Sequence, residues 1–132
     1  MDVLSSRLLL RPTDPPASRH FYGEVLGLAV SREFGDPADP GVVFFCGQGL
    51  LEVSGRSDSP PGPGVSLWLQ VRDAAAEFAR LAERGVRTLR EPRTEPWGLV
   101  EAWVADPDGV PIVLVEVPAD HPLRRDHRGL DG

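Results

Sequence analysis

The chain has 132 residues, enough for one compact domain with a real core and too few for two ordinary ones. Hydrophobic residues make up 41% and charged residues 26%, which is globular rather than disordered. The net charge of −6 argues against a nucleic-acid partner, which asks for a basic stripe. The lone Cys46 rules out an intrachain disulfide framework and a multi-cysteine metal site, and its setting in "VVFFCG" reads as a buried thiol. No apolar run reaches the ~18 residues of a membrane span. The first residues show no basic segment leading into a long apolar stretch, so a cytoplasmic protein with no membrane partner is expected.

In chain order, "SRLLLRPTD" alternates like a strand, with Leu8 and Leu10 on one face and Arg7, Leu9 and Arg11 on the other. Asp14 then offers a helix cap with Pro15 just inside, where a missing N–H costs nothing. The helix "PPASRHFYGEVLGL" lines up Ala17, Phe21, Val25 and Leu28, and Gly27 supplies a stop. Short strand candidates follow at about 29–34, 42–46 and 49–54. The Pro/Gly-rich stretch "SGRSDSPPGPG" reads as an exposed connection.

After it the plan repeats. A strand over 65–71 ends at the capping residue Asp73, and "AAAEFARLAERG" places Ala74, Phe78, Leu81 and Ala82 on one side before Gly85. Strand candidates come at 86–90, 99–105 and 111–117, the last two joined by the hairpin signal "DPDG". Two passes of strand, helix and three strands predict a tandem repeat, with halves of about 1–55 and 64–119 in one domain over 1–119. Residues 120–132 read as a polar C-terminal tail.

"FYGEVLGL", "SLWLQVRD" and "VADPDGVPIVLVEV", in this order and spacing over about residues 5–117, resemble the glyoxalase/bleomycin-resistance/dioxygenase (vicinal oxygen chelate) superfamily. The resemblance implies an α+β fold: a tandem βαβββ repeat whose curved mixed sheet encloses a cavity, helices outside, in a homodimer. In that register the helices cover Leu67, Leu69 and Val71, and Ser66, Trp68 and Gln70 face the cavity. Trp68 is then a pocket wall; taken from the residues alone, it serves equally as a core or dimer-interface tryptophan.

Metal-dependent relatives supply His, Gln or Glu from four strand positions. In this chain the positions seven residues before Asp14 and Asp73 hold Arg7 and Ser66, and the strand after "DPDG" offers Val113 or Leu114. Only the remaining position, Glu52, keeps a ligand-type residue. A guanidinium is a fixed positive charge with no lone pair to offer a cation. Glu116 lies three residues past the expected position on the opposite strand face, and His20 falls on the outer helix. No metal and no other cofactor is therefore expected, and Arg7 is expected to pair with Glu52 where an ion would lie, unless one or both reach solvent.

The remaining candidates surround a flat ligand. Strand alternation puts Glu101 and Trp103 on one face, which the resemblance implies is the cavity face; Trp97 precedes that strand on a loop, and Phe44 or Phe45 adds a ring. Trp68, Trp97 and Trp103 with Arg7, Glu52, Ser66, Gln70 and Glu101 suit a partly polar aromatic molecule. The alternative is that Trp68 and Trp103 stack and fill the space. The reading is a metal-free protein that binds a small aromatic or polycyclic molecule, as in antibiotic sequestration for self-resistance, with no catalytic residue assigned. Its rival is a lyase, isomerase or dioxygenase of the same superfamily, using a metal or a carboxylate such as Glu101 or Glu52.

Overall fold

The computed structural model describes residues 1–125. The chain divides into two compact units: Met1–Gly64 with Asp106–Val110, and Val65–Ala105 with the chain from Pro111 onward.

The first unit holds β1 (Arg7–Leu10), α1 (Pro15–His20), β2 (Val30–Phe34), β3 (Gly41–Cys46) and β4 (Gly49–Val53). Its sheet runs in the order β1-β4-β3-β2, with β1 parallel to β4 and the other pairs antiparallel. Asp14 caps α1 by accepting the Ala17 N–H at 3.2 Å, with prolines in the first turn; such a cap is worth about 1 kcal/mol.

At His20 the helix widens into a π-helical turn, Phe21–Val25, closed by Leu26 N–H donating to the Phe21 carbonyl at 2.8 Å. The wider turn corrects the expected stripe. Phe21 and Val25 are buried as expected, but Tyr22 joins them with no exposed surface, its ring 5.0 Å from Phe21 and nearly perpendicular to it. A π-turn shifts the face that follows it, which periodicity at 3.6 residues cannot show. The Cβ of Gly23 would stand 3.3 Å from the Phe44 ring, so this helical segment lies on the sheet face that carries Phe44. At Gly41 the opposite edge requires a glycine: a Cβ there would meet the Phe34 ring of the paired strand at 2.5 Å.

The second unit repeats the topology. It holds β5 (Leu67–Gln70), α2 (Ala74–Glu83), β6 (Thr88–Thr94), β7 (Val100–Ala105), β8 (Pro111–Glu116) and a short α3 (Pro122–Arg125). The sheet order β5-β8-β7-β6, again with the first pair parallel, matches that of the first unit element for element. The expected tandem βαβββ plan is therefore observed, its strands arranged in two four-stranded mixed sheets.

Asp73 caps α2 through the Ala76 N–H at 2.9 Å, and Glu116 accepts the Ala74 N–H at 3.1 Å. Glu116 thus serves the helix, not a metal. α2 packs on β6, β7 and β8. A separate apolar cluster of Leu99, Val113, Val115 and Val117, with Trp103 against it, contains no α2 residue, so α2 covers the alternate face bearing Ala102, Val104, Ile112 and Leu114. Ala74 and Leu81 are buried and Phe78 is half-buried, but Ala82, expected on the same side, is exposed. Ala82 lies about 100° around the helix from Leu81, at the margin of the covered stripe.

Candidate functional site

In the first unit, β1 and β4 run side by side with Leu9 opposite Glu52. Strand alternation therefore gathers Arg7, Arg11, Glu52 and Ser54 on the sheet face opposite Phe44. Arg7 Nη1 donates to Glu52 Oε1 at 3.0 Å, Ser54 Oγ donates to Oε2 at 2.5 Å, and Arg11 Nη1 stands 3.7 Å from Oε2. The expected Arg7–Glu52 pair is formed, and Arg11 and Ser54 complete it. The Ser54 hydrogen bond foremost, with Arg7 and Arg11 adding, holds the Glu52 carboxyl below the usual range despite its burial. The phenylalanine question is answered here as well. Phe44 is buried under the helical segment, and Phe45, 53% exposed, lies on the Glu52 face. Cys46 is half-buried, and desolvation pushes its thiol up.

These contacts decide how the family's metal positions are filled in this chain. Both Glu52 oxygens already accept hydrogen bonds, Arg7 brings a positive charge, Ser66 is exposed and precedes β5, and Val113 belongs to the apolar cluster. Among the described residues, no group of three His, Cys, Asp or Glu side chains could hold an ion. The side chains at these positions do not fit a divalent metal.

In the second unit the face not covered by α2 carries two cross-strand rows. One runs Trp68, Val113, Trp103, Arg90, and the next runs Gln70, Val115, Glu101, Arg93. Trp68 is 52% exposed, so it is not a core tryptophan within this chain. Trp103 is half-buried against the cluster around Val113. The two indoles flank Val113 from strands two positions apart, roughly 10 Å between backbones, and do not stack on one another.

Trp97, 57% exposed, leans from its loop and donates its indole N–H to Glu101 Oε2 at 2.7 Å. Five of the expected residues, Trp68, Gln70, Trp97, Glu101 and Trp103, are thus gathered on one face or at its margin. Arg7 and Glu52 belong to the other unit, and Ser66 lies outside the strand.

Three further groups complete this face, and the sequence reading missed them. β6 continues past position 90 to Thr94 through two register shifts, which bring Arg90 and Arg93 opposite Trp103 and Glu101. Glu95, 4% exposed, then takes Arg90 Nη2 at 2.5 Å and Arg93 Nε at 3.0 Å. The Arg93 hydrogen bond first, and Arg90 after it, hold the Glu95 carboxyl below the usual range. Pro92 hid this strand, because a proline inside a strand normally marks an edge or a bulge, and here it marks both.

His121, placed in a loose tail by the sequence reading, is instead engaged. Its Nε2 donates to the Trp97 carbonyl at 2.9 Å while Nδ1 accepts the Leu123 N–H at 3.2 Å. Arg124 Nε reaches the Val117 carbonyl at 2.6 Å. His127 lies outside the described residues, and His20 is exposed on α1 as expected.

An open depression of about 380 Å³ in the first unit is lined by Val3, Leu4, Ser5, Ser6, Gln48 and Leu50, and contains none of the expected site residues. No described helix is long and apolar enough to cross a membrane.

Comparison with solved structures returns the same fold repeatedly. A member of the glyoxalase/bleomycin resistance protein/dioxygenase superfamily from Sphaerobacter thermophilus is 25% identical, with a TM-score of 0.70 over 88% of this chain and 98% of its own. A glyoxalase-related enzyme from Fulvimarina pelagi is 26% identical, with a TM-score of 0.69 over 90% of this chain and 91% of its own. TnmS3, an antibiotic binding protein from Streptomyces sp. CB03234, shares the fold at 24% identity and a TM-score of 0.71, over 89% of this chain and 98% of its own. No curated protein matches. The family model that fits residues 5–114 agrees with the repeated βαβββ topology, and on both grounds the chain belongs to the Glyoxalase/Bleomycin resistance protein/Dioxygenase superfamily.

Proposed function

We propose that this protein holds a small, flat aromatic molecule against the tryptophan face of its second unit and releases it unchanged, as a cytoplasmic protein sequestering an antibiotic would. The observation that carries the reading is the half-exposed Trp68, aligned with Trp103 across Val113 on the sheet face opposite α2. A spacing of two strands between indoles suits a polycyclic plate better than a single ring. Support also comes from TnmS3, a protein of the same fold that binds an antibiotic. The chemistry at Glu52 points the same way, since each of its oxygens already accepts a hydrogen bond and the Arg7 guanidinium puts a positive charge where a divalent metal would have to lie.

A homodimer belongs to the same proposal. Leu9 and Phe45, on one face of the first unit's sheet, are 49% and 53% exposed, apolar surface of the sort a second copy covers. Light scattering of the purified protein checks it.

The test of the function is a tryptophan-fluorescence titration with a panel of planar polycyclic antibiotics, on wild type and on Trp68→Ala. Quenching with a Kd in the micromolar range or below, weakened at least ten-fold by the substitution, is the expected result. A panel that leaves the fluorescence unchanged, or an unaltered Kd in Trp68→Ala, removes the reading.

A further inference from the structure

The tryptophan face contains one carboxylate whose chemistry the packing does not use up. Glu101 is 7% exposed, and the Trp97 indole N–H on Oε2 is the sole hydrogen bond to its carboxylate among the described residues. Its other oxygen, Oε1, carries no partner. That oxygen is not one of the enclosed side-chain atoms lacking a partner, so a donor can reach it from outside the protein.

The nearby cations are engaged elsewhere. Arg93 faces Glu101 in register but turns its guanidinium to Glu95, and Arg90 reaches Glu95 and the Glu101 backbone carbonyl at 3.0 Å rather than the carboxylate. Glu95 is therefore the acceptor for both arginines, while Glu101 Oε1 accepts no hydrogen bond from them.

We propose that Glu101 makes this face selective for aromatic molecules bearing a protonated amine, with the ammonium donating to Oε1 while the ring system lies against Trp68 and Trp103. This rests on the tryptophan face being the binding surface. A charge-assisted hydrogen bond of this sort is expected to favour the amine about ten-fold over a neutral analogue of the same shape.

Three probes with one ring system test it: 1-pyrenemethylamine, 1-pyrenemethanol and 1-pyrenecarboxylate, titrated by calorimetry into the full-length protein and into Glu101→Gln. Glutamine keeps an oxygen for the Trp97 N–H and removes only the charge. The expected order in wild type is amine, then alcohol, then carboxylate, with the amine-to-alcohol ratio falling toward one in the variant. Equal binding of all three probes overturns the charge selection and leaves the tryptophan surface standing. Tightest binding of the carboxylate assigns recognition to Arg93 and overturns it too. A preserved amine preference in Glu101→Gln shows that another group reads the charge. Binding of none of the probes, with no change in tryptophan fluorescence, takes down the surface itself and the selection with it. The wild-type order needs no variant, so poor folding of Glu101→Gln cannot hide the answer.

Discussion

Replacing Arg7 and Glu52 by alanine, singly and together, measures what the charge cluster on the first sheet contributes. A fully buried ion pair broken on one side costs ~3–5 kcal/mol and an exposed pair ~0–1 kcal/mol. Here the Glu52 side chain is 11% exposed and that of Arg7 36%, so the pair lies between these limits. Arg7→Ala leaves Glu52 with Ser54 at 2.5 Å and Arg11 at 3.7 Å, and about 1 kcal/mol is expected. Glu52→Ala removes the acceptor shared by all three groups along with a buried side chain, and about 2–3 kcal/mol is expected. Because both substitutions delete the same contact, the double variant should fall short of the sum by about 1 kcal/mol. Urea unfolding followed by circular dichroism reads these differences from the midpoints at a constant m-value. Half-molar salt should shrink the coupling, since the guanidinium remains in partial contact with water. Additive effects within about 0.5 kcal/mol would refute the claim that the two side chains act as a pair.

Other expectations follow from the same contacts. Tyr22→Phe removes the hydroxyl that donates to the buried Asp106 at 2.8 Å and should cost about 1–3 kcal/mol in urea unfolding; an unchanged midpoint sinks the role given to that bond. Stability should bend with pH in two ways. Glu52 and Glu95 have folded pKa values below their unfolded ones, so their contribution is present above pH ~4.3 and fades as acid drives them through their folded values. Burial raises the Asp106 pKa, so stability should decline slightly as pH rises from ~3.9 through its folded value. Asp106→Asn should remove that decline and leave the acid limb in place, as unfolding midpoints measured across pH will tell. Gly98→Ala places a Cβ 3.2 Å from the His121 ring at a φ of +91°, and a thermal midpoint lowered by at least the equivalent of about 1 kcal/mol is expected. Should His121→Ala fully rescue that variant, the backbone part of this argument is wrong.

Much of this molecule was legible in the sequence, for identifiable reasons. The capping aspartates, the "DPDG" turn and the period-two strands each act through local physics, so both βαβββ units could be read off in order. The pairing of Arg7 with Glu52 was legible because it follows from strand position in a known fold. What escaped depended on irregularities. A π-turn moved Tyr22 into the core, two register shifts carried β6 past Pro92 to set Arg90 and Arg93 on the tryptophan face, and a histidine in a polar tail found a carbonyl on the Trp97 loop. Each is a departure from a regular period, and regular periods are what a sequence pattern reports. Arg11 and Ser54 escaped for another reason: each is an ordinary surface-type residue, and while Ser54 lies two residues along the strand from Glu52, only the pairing of β1 with β4 brings Arg11 there.

The bond between Tyr22 and Asp106 also constrains the order in which the chain becomes a protein. The tyrosine is made early, within a unit that otherwise ends at Gly64, but its acceptor lies in the hairpin tip Asp106–Val110 that this unit borrows from the far end of the sequence. Thr13 waits in the same way for Asp108, which accepts from both its backbone N–H and its hydroxyl. On the ribosome, the first sheet emerges with a phenol and a helix entry that lack their partners until about forty more residues have been translated. A fragment stopped at Gly64 would carry that deficit permanently. The first unit is thus completed only by the chain's last hairpin.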